Sequence, residues 1–243
     1  MVRIESSVVY ECDRGIATMT LNRPDQINAF NVAMRDDLYQ MIRLFNDDPT
    51  AKVAIIKGSG PKGFCAGADL SEFGTAPSQV IARSVRWERD LWGMFLSIRK
   101  PVIASLHGYV IGSGIEIAAL CDIRVAADNC QFRMPEVALG MIPAAGGTQT
   151  LARLVGVARA LDMILTNKSI GPIEAKKIGL IDRIVPICDI ELETQAIADS
   201  LTLLDQNLLH SLKRSVLDGG NLPLSEALLL EARIAEILNI TKT

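Results

Sequence analysis

PVIASLHGYVIGSGIEIAALC, residues 101–121, changes its pattern halfway along. VIASL (102–106) is an apolar run of strand length, and glycines at 108, 112 and 114 punctuate a turn. From Gly114 to Cys121 the spacing becomes that of a helix start. A strand, a glycine turn and a helix in succession make an α/β unit. The stretch is long enough to raise the question of a membrane span. His107, Glu116 and the three glycines argue against one.

Glu116 is the residue of that stretch that asks for a reason. A lone carboxylate among apolar neighbours is costly unless it has a partner or a task. A second acid, Glu136, follows in RMPEVALG (133–140), again beside a turn. One embedded acid is readily structural. Two, each next to a turn, read as a catalytic pair.

Outward from this centre the chain alternates strands and helices. VVYEC (8–12) and IATMTL (16–21), joined by Asp13-Arg14-Gly15, predict a β-hairpin. Met34, Leu38, Met41, Ile42 and Phe45 recur at helical spacing between Asn31 and Asp48, and Pro49 closes the segment. VAIIK (53–57) is a short buried strand, a helix is expected over 78–98 with Ile81, Val85, Trp92 and Phe95 on one face, and IRVAA (123–127) is another strand. Beyond residue 144 the pattern is mostly helical: three short helices, the strand IDRIVP, and further helices over 189–205, 207–218 and 223–239. This predicts one α/β core with a helical C-terminal part.

Composition narrows the function. The chain has 243 residues and is 49% hydrophobic, enough for a sizeable core. Its net charge of −3 comes from scattered charges with no basic patch, so no nucleic-acid partner is expected. Cys12, Cys65, Cys121, Cys130 and Cys188 form an odd set without CxxC spacing, which predicts reduced thiols in a cytoplasmic setting. With only His107 and His210, no metal site is expected. The start, MVRIESSVVYE, lacks the pattern of a signal peptide.

Three glycine-bearing segments concentrate the chemistry: GFCAGADLSEF (63–73), HGYVIGSGIEIAALCDIRVAA (107–127) and FRMPEVALGMIPAAGGTQTL (132–151). Glycine lets backbone approach a ligand or another strand closely. Two of the turns precede helix starts, where unpaired N–H groups point outward. Two such donors aimed at one point make an oxyanion hole. The same region argues against two other chemistries. Ile111 stands where the first glycine of a G-x-S-x-G nucleophile elbow belongs, so Ser113 with His107 is not read as a nucleophile and its base. GYVIGSG also misses the G-x-G-x-x-G dinucleotide spacing.

NRPDQINAF, CAGADL, GxxxGSGxEIAxxCDIRxA and PExxLGxIPxxGGTQ, in this order, resemble the crotonase superfamily, the enoyl-CoA hydratase/isomerase family. The resemblance runs from about residue 8 to residue 186 and more loosely beyond. It implies a spiral of ββα units over 1–190 and a helical trimerisation region over 191–243. It also implies an acyl-CoA thioester substrate, as in fatty acid metabolism, with no cofactor besides the coenzyme A carried by that substrate. By the same resemblance the oxyanion donors are the backbone N–H groups of Ala68 and Ser113, and the catalytic acids are Glu116 and Glu136. Backbone around Ala66, Gly67, Asp69 and Leu70 is similar to the part of the family that binds coenzyme A. The implied reaction is hydration of a trans-2-enoyl-CoA, and the implied assembly is a homotrimer or a dimer of trimers. An isomerase commonly needs one acid, so two acids disfavour it; a dehydratase or a hydratase of cyclic or dienoyl thioesters stays open, as does a non-catalytic acyl-CoA-binding subunit.

The chain departs from the family pattern at several points. Gln26 stands where relatives often carry a basic residue that meets a coenzyme A phosphate, which leaves Arg23, Lys57 or Lys62 for that contact. The PGAGGTQR of the family becomes PAAGGTQT (143–150) beside the second acid. Trp87, Leu91 and Trp92 are expected as core or lid residues, and Asp122 as a local brace of backbone.

Overall fold

The computed structural model describes residues 6–75, 78 and 88–240. β1 (Val8–Asp13) pairs antiparallel with β2 (Ile16–Leu21), and Arg14 and Gly15 between them take φ values of +47° and +83°. Two left-handed residues in a row give the tight turn that matches strand twist. α1 (Val32–Asp47) starts at Asn31, whose side chain accepts the N–H of Met34, and it buries Met34, Leu38, Ile42 and Phe45.

Three windings follow, each made of a longer and a shorter strand. β3 (Val53–Gly58) leads to β4 (Gly63–Cys65), β5 (Val102–Leu106) to β6 (Tyr109–Ile111), and β7 (Ile123–Ala127) to β8 (Gln131–Arg133). The longer strands enter a six-stranded sheet of order β1-β2-β3-β5-β7-β9, closed at its edge by β9 (Arg183–Val185). The shorter ones form a second sheet, β4-β6-β8, entirely parallel. This is the crotonase-like spiral that the resemblance implied.

The helices pack around these sheets. α2 (Leu91–Ser97) precedes β5, and α3 (Ser113–Ala119) leaves β6. α4 (Gly147–Val155), α5 (Val157–Thr166) and α6 (Pro172–Lys177) follow β8. α7 (Ile190–Thr202), α8 (Gln206–Gly219) and α9 (Leu224–Ile240) complete the described chain. One face of the large sheet buries Met19, Ile56, Ala104 and Leu106 against α1, α3 and the small sheet. The other packs Ile55, Ile103 and Val125 against Ile190 and Ile197 of α7. Strands covered on both faces read as continuous apolar runs, which is why VAIIK and VIASL were legible.

The helix expected over 78–98 is interrupted. α2 begins afresh at Leu91 because Asp90 caps it, its carboxylate accepting the N–H of Gly93. Leu91 and Phe95 are buried and Trp92 is half-buried against Phe30, whereas Ile81, Val85 and Trp87 lie outside the described residues. Asp122 accepts the N–H of Val102 (2.8 Å) and pairs with Lys213 of α8 (2.7 Å), bracing backbone and also holding a distant helix. All five cysteines are free thiols, three of them buried. Among the described residues no helix is long and apolar enough to cross a membrane, and no three His, Cys, Asp or Glu gather to hold a metal.

Candidate active site

The small sheet builds the site. Its three strands are parallel, so their C-terminal ends open on one edge. Ala68 follows the end of β4 by three residues, Ser113 follows β6 by two, and Glu136 follows β8 by three. Ligands gather at the carboxyl ends of parallel strands because the connecting loops and helix N-termini face outward there.

The first loop leaves the Ala68 N–H without an acceptor among the described residues. Ala66 N–H donates to the Ile27 carbonyl (2.9 Å), Phe30 N–H to the Gly67 carbonyl (2.7 Å), and Asp69 N–H to the Phe30 carbonyl (2.9 Å). These bonds make a parallel bridge between Phe30 and Ala68. In such a bridge Phe30 spends both its backbone groups, while those of Ala68 point the other way. Among the described residues the Ala68 N–H has no acceptor. Leu70 is exposed beside it, and the Asp69 carboxylate is held below the usual range by the Ser71 hydroxyl and Arg23.

The second loop brings its own donors. Gly112 is the N-cap of α3 at φ +47°, and its N–H donates to the Arg133 carbonyl (2.9 Å), tying β6 to β8. A Cβ built on Gly112 would stand 3.7 Å from the Gly67 Cα, so the first two loops touch. The N–H of Ser113, in the first turn of α3, has no acceptor among the described residues, and the residue is buried. Its burial as part of a helix start, with His107 bonded at Nε2 to the Gly60 carbonyl (2.8 Å), fits the rejection of a nucleophilic serine.

The acids flank that helix start in different environments. Glu116 is 3% exposed, and its Oε1 accepts N–H groups of Ala145 (3.1 Å) and Gly147 (2.9 Å). Two backbone donors on one oxygen favour the carboxylate form. A Cβ on Gly147 would fall 2.7 Å from that oxygen, so glycine is what admits the contact. Glu136 begins the short 3₁₀ turn Glu136–Leu139 and places Oε1 against Gly112. Its Oε2 is buried without a hydrogen-bond partner among the described residues, and burial pushes its pKa up. The two carboxyl groups thus sit in different surroundings, one bonded by two backbone donors and the other half-buried with an oxygen unbonded among the described residues.

Of the basic residues weighed for a phosphate contact, Arg23 is tied to Asp69 (2.9 Å) and Lys57 to Glu191 (3.0 Å). Gln26 is exposed at the end of the turn Pro24–Gln26. Sequence reasoning missed Asn28, fully buried at φ +55°, and the backbone donors of Ala145 and Gly147. An Asn after a turn signal was the available clue to the first.

The chain matches the family described as enoyl-CoA hydratase/isomerase over residues 11–241. A probable enoyl-CoA hydratase of Mycobacterium tuberculosis is 35% identical over 231 residues, 94% of this chain and 88% of the relative. A crotonyl-CoA hydratase of Syntrophomonas wolfei is 32% identical over 93% of this chain and 87% of its own. The solved structure of a putative enoyl-CoA hydratase from Thermobifida fusca in complex with CoA superposes with a TM-score of 0.88 at 28% identity, covering 98% of this chain and 95% of the other.

Proposed function

Because the chain belongs to the enoyl-CoA hydratase/isomerase family, we propose that it is a hydro-lyase that adds water, reversibly and in syn fashion, to a trans-2-enoyl-CoA to give a 3-hydroxyacyl-CoA. The observation that carries the reading is the asymmetric pair. Glu116 is bonded by two N–H groups, and Glu136 is buried with an oxygen unbonded among the described residues, on either side of the α3 start.

In this reading the thioester oxygen accepts the N–H groups of Ala68 and Ser113. As C3 is attacked, the carbonyl gains enolate character and those bonds strengthen; removing one such donor typically costs about 3–4 kcal/mol in the transition state. Glu116, as carboxylate, takes the proton of the water that attacks C3. Glu136, as acid, gives its proton to C2, and the two exchange roles in dehydration. Each step contributes roughly 100- to 10,000-fold. Backbone at Ala66, Gly67, Asp69 and Leu70 carries the coenzyme A portion, which enters with the substrate, so no separate cofactor is invoked.

The assembly proposed is a homotrimer, or two trimers paired, through the 191–243 helical region appended to the 1–190 spiral. In support, α8 buries none of its residues, and α9 exposes Leu224, Leu228 and Leu229. Exposed apolar faces of this kind are what a second copy covers. A reducing, cytoplasmic setting suits five unpaired thiols.

The test is hydration of crotonyl-CoA, followed as loss of enoyl thioester absorbance. Glu116→Gln and Glu136→Gln should each lower kcat by about 100-fold or more. If neither change reduces turnover by about tenfold, the pair is not catalytic and the reading fails.

A further inference from the structure

Arg23 sits in a sequence run where a coenzyme A phosphate contact was one expectation, yet its bonds point inward. One guanidinium nitrogen, Nη1, donates both to the Asp69 carboxylate (2.9 Å) and to the Ala29 carbonyl. The two side chains of the pair are only 19% and 15% exposed, so water screens them little. At its other end Arg23 is anchored to a buried residue. The Arg23 N–H donates to Asn28 Oδ1 (2.9 Å), and the Asn28 N–H donates to the Arg23 carbonyl (2.9 Å). Asn28 Nδ2 in turn donates to the carbonyls of Ser59 (2.9 Å) and Gly63 (3.0 Å), the latter opening β4.

These bonds surround a single peptide. On the β4 side the chain toward Ala68 is fixed through Asn28 and Gly63, and through Ala66 and Ile27. On the far side Asp69 is held by its N–H on the Phe30 carbonyl and by both carboxylate oxygens, Oδ2 on Arg23 and Oδ1 on the hydroxyl and N–H of Ser71. Ala68 is suspended between the two anchors with an N–H that bonds to nothing among the described residues. An N–H left free for a ligand is useful only if its direction is fixed by what flanks it, because hydrogen bonds weaken steeply with angle.

We propose that Arg23 is a positioning residue for the reaction: acting through Asp69, it sets the direction of the Ala68 N–H toward the thioester oxygen. The proposal rests on the reading of Ala68 as a carbonyl-binding donor. It assigns Arg23 to the acyl end of the substrate and away from the nucleotide end. Misplacing a catalytic group by about 1 Å can cost roughly 100-fold, and removing an oxyanion donor outright roughly 100- to 1,000-fold. A loosened Ala68 belongs at or below the lower of those figures.

The experiment compares two thioesters, crotonyl-CoA and crotonyl-pantetheine, which lacks the nucleotide. Arg23→Met and Asp69→Asn should each lower kcat about 10- to 100-fold, by the same factor on both thioesters, with KM changed by less than about twofold. Arg23→Lys should recover part of the loss. The double variant should lose less than the product of the two single losses, since the Arg23–Asp69 contact is common to both. With unreactive butyryl-CoA labelled at the carbonyl carbon, the stretching frequency should shift on binding to the wild type, and this shift should shrink in both variants. Asp69→Asn keeps side-chain size and supplies the same readout if Arg23→Met folds poorly. A rise in KM confined to crotonyl-CoA would make Arg23 a phosphate contact and overturn the proposal. So would an undiminished carbonyl shift in both variants. A wild type that hydrates neither thioester and shows no shift would instead remove the hydratase reading, and this inference with it.

Discussion

Glu136 Oε1 lies against the Cα of Gly112, so close that a methyl group built on Gly112 would stand 2.6 Å from that oxygen. The N-cap of α3 and the half-buried acid therefore share one space, and a side chain on Gly112 would push the carboxylate aside. Gly112 also holds φ at +47°, where side-chain-bearing residues are strained.

Gly112→Ala should displace the carboxylate and lower kcat by about 10- to 100-fold, the loss expected of a misplacement near 1 Å. The backbone strain should lower stability by about 1–3 kcal/mol. Steady-state kinetics beside urea unfolding separate the two effects. Turnover within twofold of wild type would mean that the Glu136 position does not matter to the chemistry.

Burial pushes the Glu136 pKa up. The folded protein therefore binds a proton that the unfolded chain releases at lower pH, and stability must fall as pH rises through the folded value. Glu136→Gln abolishes that penalty. The variant should unfold at higher temperature than wild type at pH 8, and the gap should narrow as pH is lowered toward 4. A gap that stays constant across this range would disprove the assignment of the shift to Glu136.

The strands and helices that could be read from the sequence were those with enough residues to show a period. VAIIK and VIASL declare themselves as apolar runs, and α1 shows its stripe of Met34, Leu38, Ile42 and Phe45. The second sheet was invisible for the same reason. GFC, YVI and QFR are three residues each, too short for alternation to register, and each hides beside a glycine or a turn. Glu116 and Glu136 stood out because charge in an apolar setting is conspicuous. What Glu116 bonds to was not legible, since its donors are main-chain groups of Ala145 and Gly147 that carry no sequence signal of their own. Asp90 shows the converse, a local cap overriding a longer apolar pattern.

Lys213 reaches from α8 to the Asp122 carboxylate (2.7 Å) and the Lys100 carbonyl (3.0 Å), with its side chain 12% exposed. Among the described residues, Lys213→Met leaves Asp122 with only the Val102 N–H in a half-buried setting. The expected loss is about 1–3 kcal/mol, between the values for exposed and buried pairs. The midpoint of urea unfolding checks it, and an unchanged midpoint would show the bridge to be ornamental.

Leu224 and Leu228 are exposed on one side of α9. If the proposed trimer forms through this face, replacing both with Glu should yield a slower-sedimenting species while leaving helix content intact, because charge at an apolar contact is left desolvated without a partner. Sedimentation velocity gives the answer. Wild-type sedimentation by the double variant would rule this face out of the contact.

The stacking of β4, β6 and β8 has a bearing on how the protein comes to life. Each winding of the chain brings part of the candidate site to the common edge: a spare amide from the first, a helix start and Glu116 from the second, Glu136 from the third. No single winding, and no pair of them, holds the whole set. On the proposed mechanism a nascent chain released before residue 136 would lack its second acid however well its early strands had paired, and competence should appear only once Ala145 and Gly147 have also closed on Glu116.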